Sequence, residues 1–78
     1  MVFKQLDIRA MIDKGVEPFS AVRKKVDLLK DDEGLMVIAP FLPSPLIELL
    51  RNEHLSSRVE HGTNGSWITY FWRENQTA

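Results

Sequence analysis

The stretch DKGVEPFSAVRKKVDLL, Asp13 to Leu29, contains the change of period that decides the fold. Ahead of it, VFKQLDI (Val2 to Ile8) alternates, with Val2, Leu6 and Ile8 on one side and Phe3, Gln5 and Asp7 on the other, as a half-buried strand does. From Pro18 the spacing turns helical: Phe19, Val22, Val26 and Leu29 share one face, while Ser20, Arg23, Lys24 and Asp27 point away. Pro18 suits the first helical position, where an N–H would have no intrahelical partner. The connection from Ala10 to Glu17 reads as a loop of about eight residues, longer than the roughly 2–6 usual between strand and helix.

Beyond Leu29, DDEG ends the helix, and LMVIA (Leu35 to Ala39) is a continuous apolar run of the kind found in the middle of a sheet. PFLPSP then breaks the chain. Ser44 and Pro45 read as N-cap and first residue of a second helix, which turns Leu46, Ile47, Leu49 and Leu50 inward. SSRVEHG and SWITYFWR flank Thr63, Asn64 and Gly65, and Asn-Gly signals a hairpin because both residues tolerate positive φ. The order is β-α-β-α-β-β, an α+β chain. Right-handed crossovers put both helices on one side of the sheet, giving a two-layer sandwich with one sheet face uncovered. The expected core is Leu6, Ile8, Val22, Val26, Leu29, Val37, Leu46, Leu49, Leu50 and Val59, and ENQTA (74–78) reads as a frayed tail.

Composition narrows the function classes. With 78 residues, 44% of them hydrophobic, the chain makes one domain, 1–78. A net charge of -1 from 10 basic and 11 acidic residues disfavours nucleic acid and anionic membrane as partners. The absence of cysteine excludes thiol chemistry, disulfides and thiolate metal sites. His54 and His61 are the only histidines, too few to define a metal site, and no cofactor motif is present. MVFKQLDIRAMIDKG mixes charges into its first turns, unlike a signal peptide or membrane span, so a cytoplasmic location is expected.

The motifs LDIR (Leu6 to Arg9), EPFSAVRKKVDLL (Glu17 to Leu29), PSPLIELL (Pro43 to Leu50) and the Trp-containing last strand, in this order, resemble the TusA-like, or SirA-like, sulfur-carrier superfamily. The likeness covers nearly the whole chain and is greatest to cysteine-free relatives of unknown function. It implies a four-stranded mixed sheet, with the two hairpin strands not both at the edge. The wider fold group includes the C-terminal domain of translation initiation factor three. In the carriers a Cys-Pro-x-Pro motif opens the first helix and bears a persulfide. Here Gly15-Val16-Glu17-Pro18 stands in that place, with Gly15 at the cysteine position, so the carrier activity does not transfer.

Two candidate sites follow. Both strand-to-helix loops leave the same end of parallel strands, so the helix N-termini at Glu17 and Ser44 are expected to converge there, with Arg9, Lys14 and Gly15 beside them. That arrangement binds a small anion, or else the ends are simply capped and Arg9 pairs with Asp7 or Glu17. The second site is the last strand, where Trp67, Thr69 and Phe71 alternate with Ile68, Tyr70 and Trp72, so that aromatic rings point both ways. One of these sets faces the uncovered side, joined by Met36, Ile38 and Phe3. Trp67, Tyr70, Phe71 and Trp72 are therefore the candidate interaction residues. The expected function is a noncatalytic module that docks a protein partner or a second copy of itself; the alternative is an anion or metabolite binder at the helix ends.

Overall fold

A computed structural model describes residues 1–73, so the tail expected at 74–78 lies outside the described residues. The elements run β1 (Val2–Asp7), α1 (Arg9–Asp13), α2 (Phe19–Asp27), β2 (Glu33–Ala39), α3 (Ser44–Arg51), β3 (Leu55–His61), a 3-10 turn (Thr63–Gly65) and β4 (Trp67–Arg73). The four strands form one mixed sheet in the order β1-β2-β4-β3. β1 and β2 are parallel, and β4 runs antiparallel to both its neighbours. The hairpin therefore places β4 inside the sheet and leaves β3 at its edge. Asn64 sits at φ 56 in the turn, the left-handed conformation that the Asn-Gly pair foretold.

The register shows which residues share a face. Leu35 pairs with Phe71, Val37 with Thr69 and Leu6, and Ala39 with Trp67, so these side chains lie on one side of the sheet. Leu35, Val37, Ala39 and Phe71 are buried together with Val22 and Val26 of α2 and Leu46 and Leu50 of α3. Met11 and Ile12 of α1 pack on the same cluster. All three helices thus cover one face, and each fully buried aliphatic or Phe side chain in this layer contributes roughly 1.5–3 kcal/mol of hydrophobic stabilisation. Thr69 lies in the same layer, and its Oγ1 has no hydrogen-bond partner among the described residues.

Several expectations need correction. Part of the expected Ala10–Glu17 loop is helical: α1 follows β1 almost directly, and Ile8, its N-cap, is buried. Leu49 is 40% exposed, because α3 has only eight residues and its inward stripe is filled by Leu46 and Leu50, with Ile47 at the margin. Val59 is 37% exposed even though it faces the helix layer, since β3 is an edge strand. Leu35, Ala39, Leu55 and Phe71 belong to the core and were not in the expected set. Among the described residues no helix is long and apolar enough to cross a membrane.

Candidate functional site

Of the two expected anion-binding helix ends, that of α2 is covered by a carboxylate of the chain itself, and that of α3 has no side-chain cap. Gly15 terminates α1 at φ +72, its N–H donating to the Ile12 carbonyl while the Val16 N–H donates to Met11. This is a Schellman end, which needs a left-handed residue and therefore favours glycine. Gly15 is thus accounted for by the turn it makes, and Lys14 is the exposed residue before it. Glu17 reaches forward over the first turn of α2. Its carboxylate accepts from the Phe19 N–H, from the Ser20 N–H at 3.2 Å and from the Ser20 hydroxyl at 2.9 Å. A negative group therefore already occupies the positive end of that helix. The Ser20 hydroxyl, followed by the backbone donors, holds the Glu17 carboxyl below its ordinary range.

Arg9 is tied back to Asp7 by a 2.7 Å ion pair and a second guanidinium bond at 3.0 Å. The side-chain hydrogen bond from Arg9 lowers the Asp7 pKa, and the same bond raises that of Arg9. Ser44 is not the N-cap of α3: Pro43 is, and no side-chain hydrogen bond caps that end. The Ser44 N–H donates to the Leu42 carbonyl at 2.9 Å, the Ile47 N–H donates to the Pro43 carbonyl at 3.0 Å, and Pro45 has no N–H to offer. Another pair, Arg23 with Glu53, joins α2 to the segment after α3 in a two-pronged contact that lowers the Glu53 pKa.

The uncovered face of the sheet is assembled from the other parity of the same strands. Three rows cross it: Phe3, Gly34, Trp72 and Ser56; then Gln5, Met36, Tyr70 and Arg58; then Asp7, Ile38, Ile68 and Glu60. The middle two strands supply Met36, Ile38, Ile68, Tyr70 and Trp72, all half-buried with nothing packed above them from the helix layer. Phe71 and Thr69 point the opposite way and are fully buried, so Phe71 is removed from the candidate interaction residues. Trp67 shares their parity; it is half-buried and stacks on His61 with ring centroids 4.2 Å apart. Of the four aromatic candidates, Tyr70 and Trp72 lie on the open face.

Gly34 makes this face an aromatic surface. A Cβ at that position would fall 2.5 Å from the Phe3 ring, which means that the ring lies across the glycine. From the edge strand Phe3 thereby meets Tyr70 at 5.0 Å and 71° and Trp72 at 6.3 Å and 86°, both edge-to-face geometries. A shallow pocket of about 390 Å³ opens there, lined by Met1, Phe3, Arg58, Glu60, Tyr70 and Trp72. Arg58 and Glu60 approach no closer than 3.9 Å, and the Arg58 side chain is 71% exposed. Sequence reasoning found the rings and missed the glycine beneath them, although a glycine inside a strand pattern is itself a sign of close approach.

Chemically this face offers apolar area and ring edges for binding, and the chain brings no thiol to it. Strand backbone groups point along the sheet rather than out of it, so affinity must come from apolar area, ring edges and the Arg58–Glu60 rim. Among the described residues no group of three or more His, Cys, Asp or Glu is placed to hold a metal ion. The sequence model of a family described as an uncharacterized conserved protein, DUF2249, matches residues 5–73. No curated protein and no solved structure matches the chain.

Proposed function

The chain belongs to the DUF2249 family, and from that premise we propose that it is a noncatalytic TusA-like module without the carrier cysteine, whose task is to hold a protein against the open face of its sheet. The observation that carries this reading is the aromatic cluster of Phe3, Tyr70 and Trp72 laid over Gly34 on the uncovered face. A domain this small has few apolar residues to spare, and contiguous exposed apolar groups mark interaction sites more often than not. The helix ends support the alternative anion reading less well, because Glu17 occupies one and proline depletes the other.

Photo-crosslinking in cells tests the proposal. With Trp72 replaced by benzoylphenylalanine, protein adducts are expected; with Lys24 of the helix layer replaced in the same way, they are not. Adding Phe3→Ser and Tyr70→Ser to the first variant is expected to abolish the adducts. Equal yields from both positions, or none from position 72, overturn the reading.

A further inference from the structure

We infer that the free edge of β3 pairs with β3 of a second copy, antiparallel, with Val59 opposite Val59 on a two-fold axis perpendicular to the sheet. This contact lies at the margin of the sheet and not on its open face, so it stands whether or not a protein docks on the rings. It begins with the backbone. The Gly62 N–H donates to the Ser66 carbonyl at 2.9 Å, and in an antiparallel ladder the bonded positions alternate, so the even-numbered residues of β3 are the ones bonded to β4. The N–H and C=O groups of Ser57, Val59 and His61 therefore point outward, and among the described residues no strand lies beyond them.

Edge strands that must stay single are guarded by proline, lysine, a bulge or extreme shortness. β3 is seven residues long, pairs with β4 without a bulge from Leu55 to His61, and contains neither proline nor lysine. β1, the other free edge, has Lys4 near its middle. Val59 is 37% exposed although it faces the helix side, so the helix layer stops short of this edge and leaves room for a neighbour.

Charge then selects the partner and its register. Only the outward residues can make the hydrogen-bonded pairs of a new ladder, which limits the choices. With Ser57 opposite Val59, Arg58 faces Arg58; with Val59 opposite His61, Glu60 faces Glu60. With Val59 opposite itself, Arg58 of each copy faces Glu60 of the other, in the non-hydrogen-bonded positions where side chains come closest. The 3.9 Å contact between Arg58 and Glu60 of one chain is kept, and the two pairs together form a square of alternating sign. Like charges thus reject the two neighbouring registers and opposite charges favour this one, as a self-complementary C2 contact requires. Ser57 pairs with His61 at either end, giving about six new backbone hydrogen bonds, and the two Val59 side chains meet at the centre.

The product joins two four-stranded sheets into one. Because the axis is perpendicular to the sheet, both open faces lie on the same side, and Phe3, Tyr70 and Trp72 are presented twice on one surface. So short an overlap buries less than the about 1,200–2,000 Å² of a stable interface, so the dimer fills and empties with concentration.

Sedimentation equilibrium on the purified chain, up to about 1 mM, provides the test. The wild-type chain is expected to dimerise with rising concentration. Val59→Pro removes an outward N–H, a change that an edge strand tolerates, and is expected to stay monomeric with an unchanged circular dichroism spectrum. Arg58→Glu alone and Glu60→Arg alone are each expected to weaken dimerisation about tenfold, because each sets like charges opposite one another. Mixing those two variants is expected to restore it to near the wild-type level, since every facing pair then joins opposite signs; this arm needs no proline and decides by itself if Val59→Pro fails to fold. Phe3→Ser with Tyr70→Ser, which alters the open face, is expected to leave dimerisation unchanged. A wild-type chain that stays monomeric at about 1 mM overturns the inference, as does a mixture no tighter than its components, a folded Val59→Pro chain that dimerises like the wild type, or loss of the dimer in the double serine variant. Failure here leaves the docking reading of the open face intact, and absence of adducts from position 72 leaves the edge contact intact.

Discussion

The two faces of the sheet are built from the same central strands and read almost alike in sequence, yet they have opposite fates. On one, Leu35, Val37, Ala39 and Phe71 vanish beneath the helices. On the other, Met36, Ile38, Ile68, Tyr70 and Trp72 remain half-buried with no layer above them. Hydrophobicity alone does not separate them, because β2 and β4 are apolar at every position from Leu35 to Ala39 and at most from Trp67 to Trp72. What separates them is the supply of helices, which is enough for one face. Stability comes from the covered side, and the open side is left with apolar surface that the fold does not use.

The largest expected effect breaks or confirms that division directly. Phe71→Ala removes a fully buried ring from between β4 and the helices and is expected to cost about 3–5 kcal/mol in urea unfolding. Tyr70→Ala, one residue away on the open side, is expected to cost about 1–2 kcal/mol, because its ring keeps part of its exposure in the folded chain. Equal losses at the two positions would mean that the open face is a second core and not a docking surface.

A smaller effect concerns the glycine that shapes the open face. Gly34→Ala puts a Cβ 2.5 Å from the Phe3 ring and 2.8 Å from the Phe71 carbonyl oxygen, so the strand or the ring must shift. The expected cost is about 1–3 kcal/mol. Adding Phe3→Ala removes the ring clash and leaves the backbone one, so the pair is expected to be non-additive by about 1 kcal/mol in a double-mutant cycle. Full additivity would show that Phe3 does not lie over Gly34 in solution, and the aromatic surface would lose its third ring.

Those glycines also show how far the sequence could be read. Period and punctuation located all four strands and both longer helices, because Pro18, Pro45 and Asn64-Gly65 act locally and the change from period 2 to period 3.6 is visible within a few residues. The short helix α1 was not legible: Arg9–Asp13 makes too few turns to display a stripe, and it is held by Ile8 and Met11 against a core that only the folded chain supplies. Gly15 stood out as a vacated reactive position, whereas its positive φ and the Met11–Val16 bond make it the end of that helix. At the open face the rings of Tyr70 and Trp72 were legible and their orientation was not, since alternation fixes two sides without saying which is covered. The Arg58–Glu60 rim and the Phe3–Gly34 approach depend on cross-strand register, which no local pattern reveals.

The smallest expected effect concerns the outer surface of the helix layer, where Glu17 is bonded to Ser20 and Glu53 to Arg23, while Arg58 and Glu60 on the open face stand 3.9 Å apart. Glu17 binds the first amides of α2 and the Ser20 hydroxyl, and these donors hold its pKa below the ordinary 4.5. A carboxyl with a depressed folded-state pKa lets the unfolded chain take up the proton first as the solution is acidified. Its stabilisation is therefore complete above the ordinary value and is lost as pH falls through the folded value. Glu53 with Arg23, Asp7 with Arg9, and Glu33, whose largest cause is the Lys30 N–H, shift in the same direction, so the urea midpoint of the wild-type chain is expected to fall on acidification below about pH 5. Glu17→Gln keeps the side-chain shape and one acceptor oxygen but removes one of these proton-linked groups, and its midpoint is expected to fall less steeply over the same interval. Because Glu17 is exposed and screened by solvent, the difference at neutral pH is expected to be small, and the slope is the informative quantity. Parallel slopes for the two proteins would mean that the carboxylate does not rest on the helix amides in solution. The positive end of α2 would then be vacant, and the anion-binding alternative would regain the ground it yields to the open face.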